Sequence, residues 1–551
     1  MNNTQNTKLT LPFLFEESVR KNGDRIALGI VQGTSKTYAE MHSDVLSLMS
    51  FLEKLNIKQG DKVAILSSNM PNWGIAYLAI TSMGAVAVPI LPEFSATEIS
   101  TILQHSETKL VFVSKKLLYK VNVKAKLEHF IAIENFSHIS GKEAAYFEFG
   151  LKPFGTYKVD EEDIASIIYT SGTTGKSKGV MLSHKNLTYN ALKTKKIQTV
   201  NAEDRLLSIL PLSHAYENTL GFILPIISGA SVFYLGNAPT PSVLLPALKE
   251  VKPTLMLSVP MVIEKIYKNK ILPSFQKNIV IKLLYTVPII RKRLNRIAGS
   301  KLKETFGGNL KFFGIGGAKL NRRVEKFLQE AKFPYAIGYG LTETSPLLAG
   351  CNPQNTILQS TGKNLEGIEL KIHNPDKKTG EGEIWAKGPS VMKGYYKEPG
   401  LTNAVLTPDG WFKTGDLGVF DKNNNLFIKG RLKNMIVGNT GENIYPEDIE
   451  SIINNYRHVV ESLVMEKKGK IVALVHFNKE EIENKYRTFK GEVTNYFDTK
   501  VEELRSELLS YINSRVSRFS RIQSIYVHLQ PFEKTPTQKI KRFLYKKQGK
   551  I

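Results

Sequence analysis

Short runs of apolar residues recur along the chain, spaced by stretches in which apolar positions return every three or four residues. A run apolar throughout suits a strand covered on both faces, and the three-to-four spacing suits a helix with one buried side. On this basis Leu11–Asn22 and Asn72–Met83 are expected to be helices, and Lys62–Ser67, Gly84–Pro89 and Leu110–Val113 strands. The first 160 residues thus read as an α/β layer. Ile164–Ile168 and Val180–Leu182 are two further short strands flanking a polar run. Farther on, Phe312–Ala318 is a strand running into small residues, and Leu320–Ala331 is a helix. Asn218–Leu248 carries no charge, but Pro225, Gly229, Gly236, Pro239, Pro241 and Pro246 break it, so no apolar run of ~20 residues survives. It is expected to be buried helix plus buried strand. The charged stretch Asn478–Ser510 reads as a solvent-facing helix.

With 551 residues the chain has material for roughly three or four compact units. Its 75 basic and 51 acidic residues give a net charge of +24, which points to anionic partners such as a nucleotide, a membrane surface or a nucleic acid. The charge is uneven: Lys265 to Lys303 holds eleven Lys/Arg and no Asp or Glu, interleaved with apolar Ile279-Val280-Ile281, Leu283-Leu284-Tyr285 and Val287-Pro288-Ile289-Ile290. A solvated helix face and a peripheral contact with anionic lipid both fit this pattern. No recognisable nucleic-acid module accompanies the charge, and nucleic acid is not expected as a partner. The single Cys351 excludes an internal disulfide and fits a reducing compartment. Met1–Thr10 is polar and lacks the apolar core of a signal peptide. The expected location is cytoplasmic, with peripheral contact at the inner face of the membrane.

The polar run between the two flanking strands is Tyr169-Thr170-Ser171-Gly172-Thr173-Thr174-Gly175-Lys176-Ser177-Lys178-Gly179-Val180. Its glycines let the backbone bend and bring amides close to a ligand, while hydroxyls and lysines supply donors and positive charge. That is the chemistry of a polyphosphate cradle. A Walker loop needs a glycine five positions before Gly175, where Thr170 stands, and a helix straight after the lysine, where a strand-like piece precedes Ser183. The run resembles instead the phosphate loop of the adenylate-forming superfamily, which includes acyl-CoA synthetases, firefly luciferase and the adenylation domains of peptide synthetases.

Further blocks extend the resemblance over nearly the whole chain. They are Leu210-Pro211-Leu212-Ser213-His214-Ala215-Tyr216-Glu217, Gly314-Ile315-Gly316-Gly317-Ala318, Gly338-Tyr339-Gly340-Leu341-Thr342-Glu343-Thr344-Ser345, Gly415-Asp416-Leu417-Gly418 and Gly430-Arg431-Leu432-Lys433. Pro531 to Arg542 resembles the terminal motif, with Gln538 where many members have glycine and Lys539 in register.

The resemblance implies an α/β fold with a large N-terminal domain of layered α/β subdomains (1–432) and a small mobile α+β domain (433–551). It implies ATP and Mg²⁺ as cofactors and coenzyme A as co-substrate. Thr170, Ser171, Gly172, Thr173, Thr174, Gly175 and Lys176 would hold phosphates, and Gly316, Gly317 and Ala318 would border nucleotide and acyl group. Gly338 and Gly340 would flank Tyr339 against the adenine, Thr342 would meet the phosphate, and Glu343 would hold Mg²⁺. Asp416 would take the ribose hydroxyls and Arg431 would reach ribose and phosphate. His214 and Gly317 would shape the acyl pocket, Lys433 would be the hinge, and Lys539 would be the lysine of the first half-reaction. Lys534, Lys541 and Arg542 are nearby alternatives to Lys539.

The expected activity is AMP-forming ligation of a fatty acid, long-chain by closest resemblance, to coenzyme A. Only twelve residues follow Lys539, leaving no room for a fused carrier domain. An aryl or other carboxylic acid as substrate, and an acyl carrier protein as acceptor, remain open alternatives. Oligomeric state is not legible.

Overall fold

The computed structural model describes residues 8–121, 127–139, 156–171, 177–438, 442–480, 482, 494–535 and 539–546. Two seven-stranded sheets dominate it. One runs in the order 335–337, 312–315, 255–258, 205–208, 231–234, 26–30, 35–37, parallel except at the last pair. The other runs 394–395, 177–183, 164–171, 86–90, 62–66, 108–113, 129–132, with its two outermost pairs at the 394–395 end antiparallel.

The apolar runs became strands because both faces of each sheet are covered. In Lys62–Leu66, Val63 and Ile65 join the core between the two sheets, while Ala64 and Leu66 join the core behind the second sheet. Leu110 and Phe112 alternate with Val111 and Val113 in the same way. Helices Leu11–Asn22, Tyr38–Lys54 and Pro71–Ser82 fill the layer between the sheets. Pro71–Ser82 starts one residue before the expected helix because Pro71 takes the first helical position, where no amide hydrogen is needed. Helices Pro241–Val251, Pro288–Thr305 and Arg322–Glu330 cover the outer face of the first sheet. Arg322–Glu330 begins two residues later than expected, since Asn321 Oδ1 caps it by accepting from the Arg323 and Val324 amides.

The uncharged segment folds as a π-helical turn, Glu217–Ile223, continuing into Leu224–Ile227, then strand Ser231–Tyr234, both buried, and the half-exposed helix Pro241–Val251. Among the described residues no helix is long and apolar enough to cross a membrane. Strands 369–373, 382–387, 412–420 and 426–431 form an antiparallel sheet, and residues from Ile436 onward build a separate core around strands 459–467, 470–477 and 524–527. Part of the charged stretch lies outside the described residues. The rest corrects the expectation of a solvent-facing helix: Thr494–Asn513 buries Val501, Leu504, Leu508 and Ile512 in that core. Their spacing of three, four and four residues makes one apolar stripe beneath the charges.

Candidate active site

Strands Ile164–Ser171 and Ser177–Ser183 form a hairpin whose tip would carry the phosphate cradle. Gly172, Thr173, Thr174, Gly175 and Lys176, with the Ser171 side chain, lie outside the described residues. At the base, Thr170 pairs with Lys178 and Ser171 with Ser177. Ser183 ends the second strand and caps helix His184–Ile197 by accepting from the Asn186 amide, so a strand does separate the lysine from the helix. Lys178 Nζ lies 4.9 Å from the centroid of the Tyr395 ring. The Tyr395 hydroxyl donates to Glu343 Oε1 at 2.9 Å, so one aromatic ring ties the base of the hairpin to the expected magnesium ligand.

Glu343 is half-buried in the short turn Thr342–Thr344, with Thr342 buried beside it. The strand before this turn needs glycine at 340, where a Cβ would fall 1.8 Å from the Pro346 carbonyl oxygen. Tyr339 is buried, and its hydroxyl donates to Asp416 Oδ2 at 2.9 Å. Asp416 stands opposite Arg431 across two antiparallel strands, and Arg431 Nε meets Asp416 Oδ1 at 2.7 Å. The Asp416 amide donates to Thr414 Oγ1 at 3.1 Å, which fixes the strand locally. Burial lifts the Asp416 carboxyl above its ordinary range, opposed by Arg431, Tyr339 and Lys539. Each carboxylate oxygen has a second lone pair, so Asp416 keeps acceptor capacity for a ligand hydroxyl.

The terminal segment enters this neighbourhood. Lys539 is exposed as a residue, yet the protein around its ammonium lowers its pKa, as does Arg431, against the pull of Asp416 and Glu343. Its backbone is fixed by Thr535, whose amide donates to the Lys539 carbonyl at 2.7 Å and whose Oγ1 accepts from the Lys539 amide at 3.2 Å. Two of the three alternatives are engaged elsewhere: Lys534 pairs with Glu461 at 2.6 Å, and Arg542 holds Glu450 and the Val464 carbonyl. Lys433, in the turn Leu432–Asn434, is exposed; desolvation foremost, then Arg431 and Lys539, bring it down to about 8. Arg431, Lys433 and Lys539 therefore crowd around Asp416, and a polyanion arriving here would relieve their mutual repulsion.

His214 is half-buried, and its Nδ1 accepts from the Tyr216 amide at 3.3 Å. Burial first, and Lys539 second, hold the imidazole near 4, so it is neutral at pH 7. Gly316 is buried against the Tyr216 ring, while Gly317, at φ +84°, and Ala318 are exposed at the cleft. Behind the Gly314 and Gly338 corners lies a cavity of about 60 Å³. Its lining includes Leu206, Tyr216, Leu220, Leu224, Leu255, Leu257 and Ile337, and no charged residue among the described residues lines it.

Beside the cavity, Glu217 is fully buried at the start of the π-helical turn. Its Oε1 accepts from Ser208 Oγ at 2.6 Å, and Ser208 Oγ accepts from Asn69 Nδ2 at 3.0 Å. Asn69 also receives the Leu212 amide at 2.9 Å, linking the network to the His214 loop. Glu217 Oε2 has no hydrogen-bond partner among the described residues, and burial pushes its carboxyl up to about 8.

Sequence reasoning assigned no role to Tyr216, Tyr395, Thr414 or Glu217, and gave Lys178 only a share in the positive charge of the polar run. Tyr395 and Thr414 act by positioning other side chains, which leaves no spacing signature. Tyr216 and Glu217 sat inside a recognised block, and only their burial shows that they line or brace a cavity.

Residues 15–396 match the family model described as AMP-binding enzyme. The chain belongs to that family. The long-chain-fatty-acid–[acyl-carrier-protein] ligase AEE15 of Arabidopsis thaliana is 27% identical over 97% of this chain and 84% of its own length. Long chain acyl-CoA synthetase 3 of the same plant is 26% identical, covering 96% of this chain and 89% of its own. Among solved structures, O-succinylbenzoate coenzyme A synthetase from Bacillus subtilis, in complex with AMP, superposes with a TM-score of 0.75 over 98% of both chains at 23% identity. The anthranilate CoA ligase AuaEII, in complex with anthranoyl-AMP, gives 0.76 over 98% of this chain and 97% of its own at 19% identity. The mixed α/β fold of the adenylate-forming enzymes is shared over 98% of the chain. This AMP-binding enzyme is an adenylate-forming ligase of the acyl- or aryl-CoA and acyl-carrier-protein ligase group.

Proposed function

We propose that the protein activates a fatty acid, long-chain by preference, with ATP to an acyl-adenylate and transfers the acyl group to coenzyme A. The observation that carries the substrate class is the uncharged, mainly aliphatic cavity reached past Gly314 and Gly338. An amino acid or a dicarboxylic aryl acid would bring a second charge into this space, and an unpaired buried charge is costly. An aliphatic tail brings none. At ~10–15 Å³ per water the cavity has room for about four to six waters, so a long chain must part lining side chains to enter fully.

In the first step a carboxylate oxygen attacks the α-phosphorus of ATP, a bond to that phosphorus forms, and pyrophosphate leaves. Anion meets anion, so the protein's task is alignment and charge neutralisation. Lys539 and Arg431 supply positive charge beside Asp416, which holds the ribose, and Tyr339 lies against the adenine. The hairpin tip with Lys176 would hold the leaving phosphates. Glu343, a single half-buried carboxylate beside Tyr395, suits Mg²⁺ bound largely by nucleotide oxygens; the ion would supply further charge neutralisation there. Neutral His214 shapes the carboxylate end of the acyl pocket and takes no proton. In the second step the thiol of coenzyme A attacks the acyl carbon, loses its proton to water, and expels AMP; a thiol of pKa ~8.5 needs no strong base.

Between steps the domain from residue 433 onward turns about Lys433 and withdraws Lys539. Its present docking supports such a motion, since it includes polar contacts that can be exchanged: Lys319 with Asp448 at 2.6 Å, Asn321 with Ser451 at 2.9 Å, and Lys268 with the Val459 carbonyl at 2.8 Å. The fatty acid and coenzyme A are the partners in this reading, and the cytoplasm is its location.

An acyl carrier protein as acceptor is favoured by the AEE15 relative. The test is thioester formation from ATP, Mg²⁺ and fatty acids of graded length, with coenzyme A and holo-acyl carrier protein supplied separately. Product with coenzyme A and long aliphatic acids supports the proposal. Product only with carrier protein moves the acceptor, and product only with aryl acids overturns the substrate class.

A further inference from the structure

The basic stretch 265–303 folds as a helical hairpin with one anchored side and one exposed side. Helix Ile279–Leu284, capped by Asn278, turns through Val287 into helix Pro288–Thr305. The inner side of this hairpin is anchored: Ile281, Tyr285, Leu294 and Ala298 pack on the core, the Tyr285 ring stacks on Phe275 at 4.6 Å, and its hydroxyl donates to Asn295 Oδ1 at 2.9 Å. The outer side carries Ile279, Val280, Leu283, Leu284, Val287 and Ile289 in the open, with Ile279 at 69%, Leu283 at 65% and Ile289 at 70% exposure. So many large apolar side chains exposed on one short hairpin are unusual for a surface that meets only water.

Charge tells what covers them. Arg291 is paired with Glu330, and Lys268 is held by backbone carbonyls of the C-terminal domain. Lys277, Lys282, Lys292, Arg293 and Arg296 remain exposed around the apolar tip, in a stretch without one acidic residue. An apolar edge ringed by cations matches a bilayer interface with anionic headgroups, where side chains such as Ile279 sink below the level at which lysines meet phosphate. We propose that this hairpin docks the enzyme on anionic lipid bilayers by inserting Ile279, Leu283 and Ile289. The sheet separates it from the acyl cavity: Leu255 and Leu257 face the cavity while Met256 faces the hairpin's core. The hairpin therefore holds the enzyme at the surface and does not itself conduct the acid, and the inference stands independently of the substrate assignment.

The test uses the full chain and sedimentation with vesicles of phosphatidylcholine, with or without phosphatidylglycerol. The wild type is expected to sediment with the anionic vesicles and to be partly released by salt. The triple variant Ile279→Asp/Leu283→Asp/Ile289→Asp is expected to bind at least ~10-fold more weakly. Its three sites are exposed, and its far-UV circular dichroism and urea midpoint should match the wild type, which shows that the fold is intact. Equal sedimentation of variant and wild type, or none by the wild type, would overturn the proposal. So would a wild type that binds no vesicle but runs as a dimer where the variant runs as a monomer, which would assign the face to a second copy.

Discussion

Replacing Glu217 by glutamine should stabilise the protein, and by an amount that grows with pH. The side chains are nearly isosteric, and the glutamine amide oxygen can still accept from Ser208. In the folded protein the carboxyl keeps its proton up to about 8, against an ordinary value of 4.5. Between those values the unfolded chain has lost a proton that the folded chain retains, so wild-type stability falls as pH rises; below 4.5 both forms are protonated and the effect vanishes. At 1.36 kcal/mol per unit, the shift corresponds to an upper bound of ~5 kcal/mol above pH 8 and ~3 kcal/mol at pH 7. Urea transitions of variant and wild type, followed from pH 4 to 9, should superpose at the acid end and separate steadily toward pH 8. A difference that stays constant with pH would refute the reasoning, since Glu217 would then titrate alike in both states.

Lys539→Ala should abolish adenylation yet leave thioester formation from supplied acyl-adenylate intact; equal loss of both rates would remove Lys539 from its role. Tyr339→Phe deletes the hydroxyl that orients Asp416 and should raise KM for ATP about tenfold or more with a smaller change in kcat, at ~1.5–3 kcal/mol for one hydrogen bond to a charged group. Leu220→Ala enlarges the cavity and should move the preferred acid to longer chains in a competition assay; an unchanged profile would show that the tail lies elsewhere.

Much of the architecture was written in periodicity. Runs such as Lys62–Leu66 became strands because apolar residues on both faces met separate cores, and Ser183 capped its helix where the hydroxyl and Asn186 stood three apart. Motif order placed Tyr339, Glu343, Asp416, Arg431 and Lys539 in one neighbourhood, and the electrostatic coupling of Lys539 to Asp416 and Glu343 agrees with that grouping. What escaped the sequence is geometry without a signature. The π-helical turn at Glu217 comes from tertiary packing, the Tyr395–Glu343 bond joins residues 52 apart, and the stripe under Thr494–Asn513 was masked by its charges. The basic stretch was visible as charge, but only the fold shows that Ile279, Leu283 and Ile289 face outward.

The central claim is acyl-adenylate formation on an aliphatic acid, and exchange of labelled pyrophosphate into ATP, without coenzyme A, tests it most directly. The account predicts exchange that depends on Mg²⁺ and on long aliphatic acids, and little with aryl or amino acids. Exchange supported by aryl or amino acids but not by any aliphatic acid would contradict it.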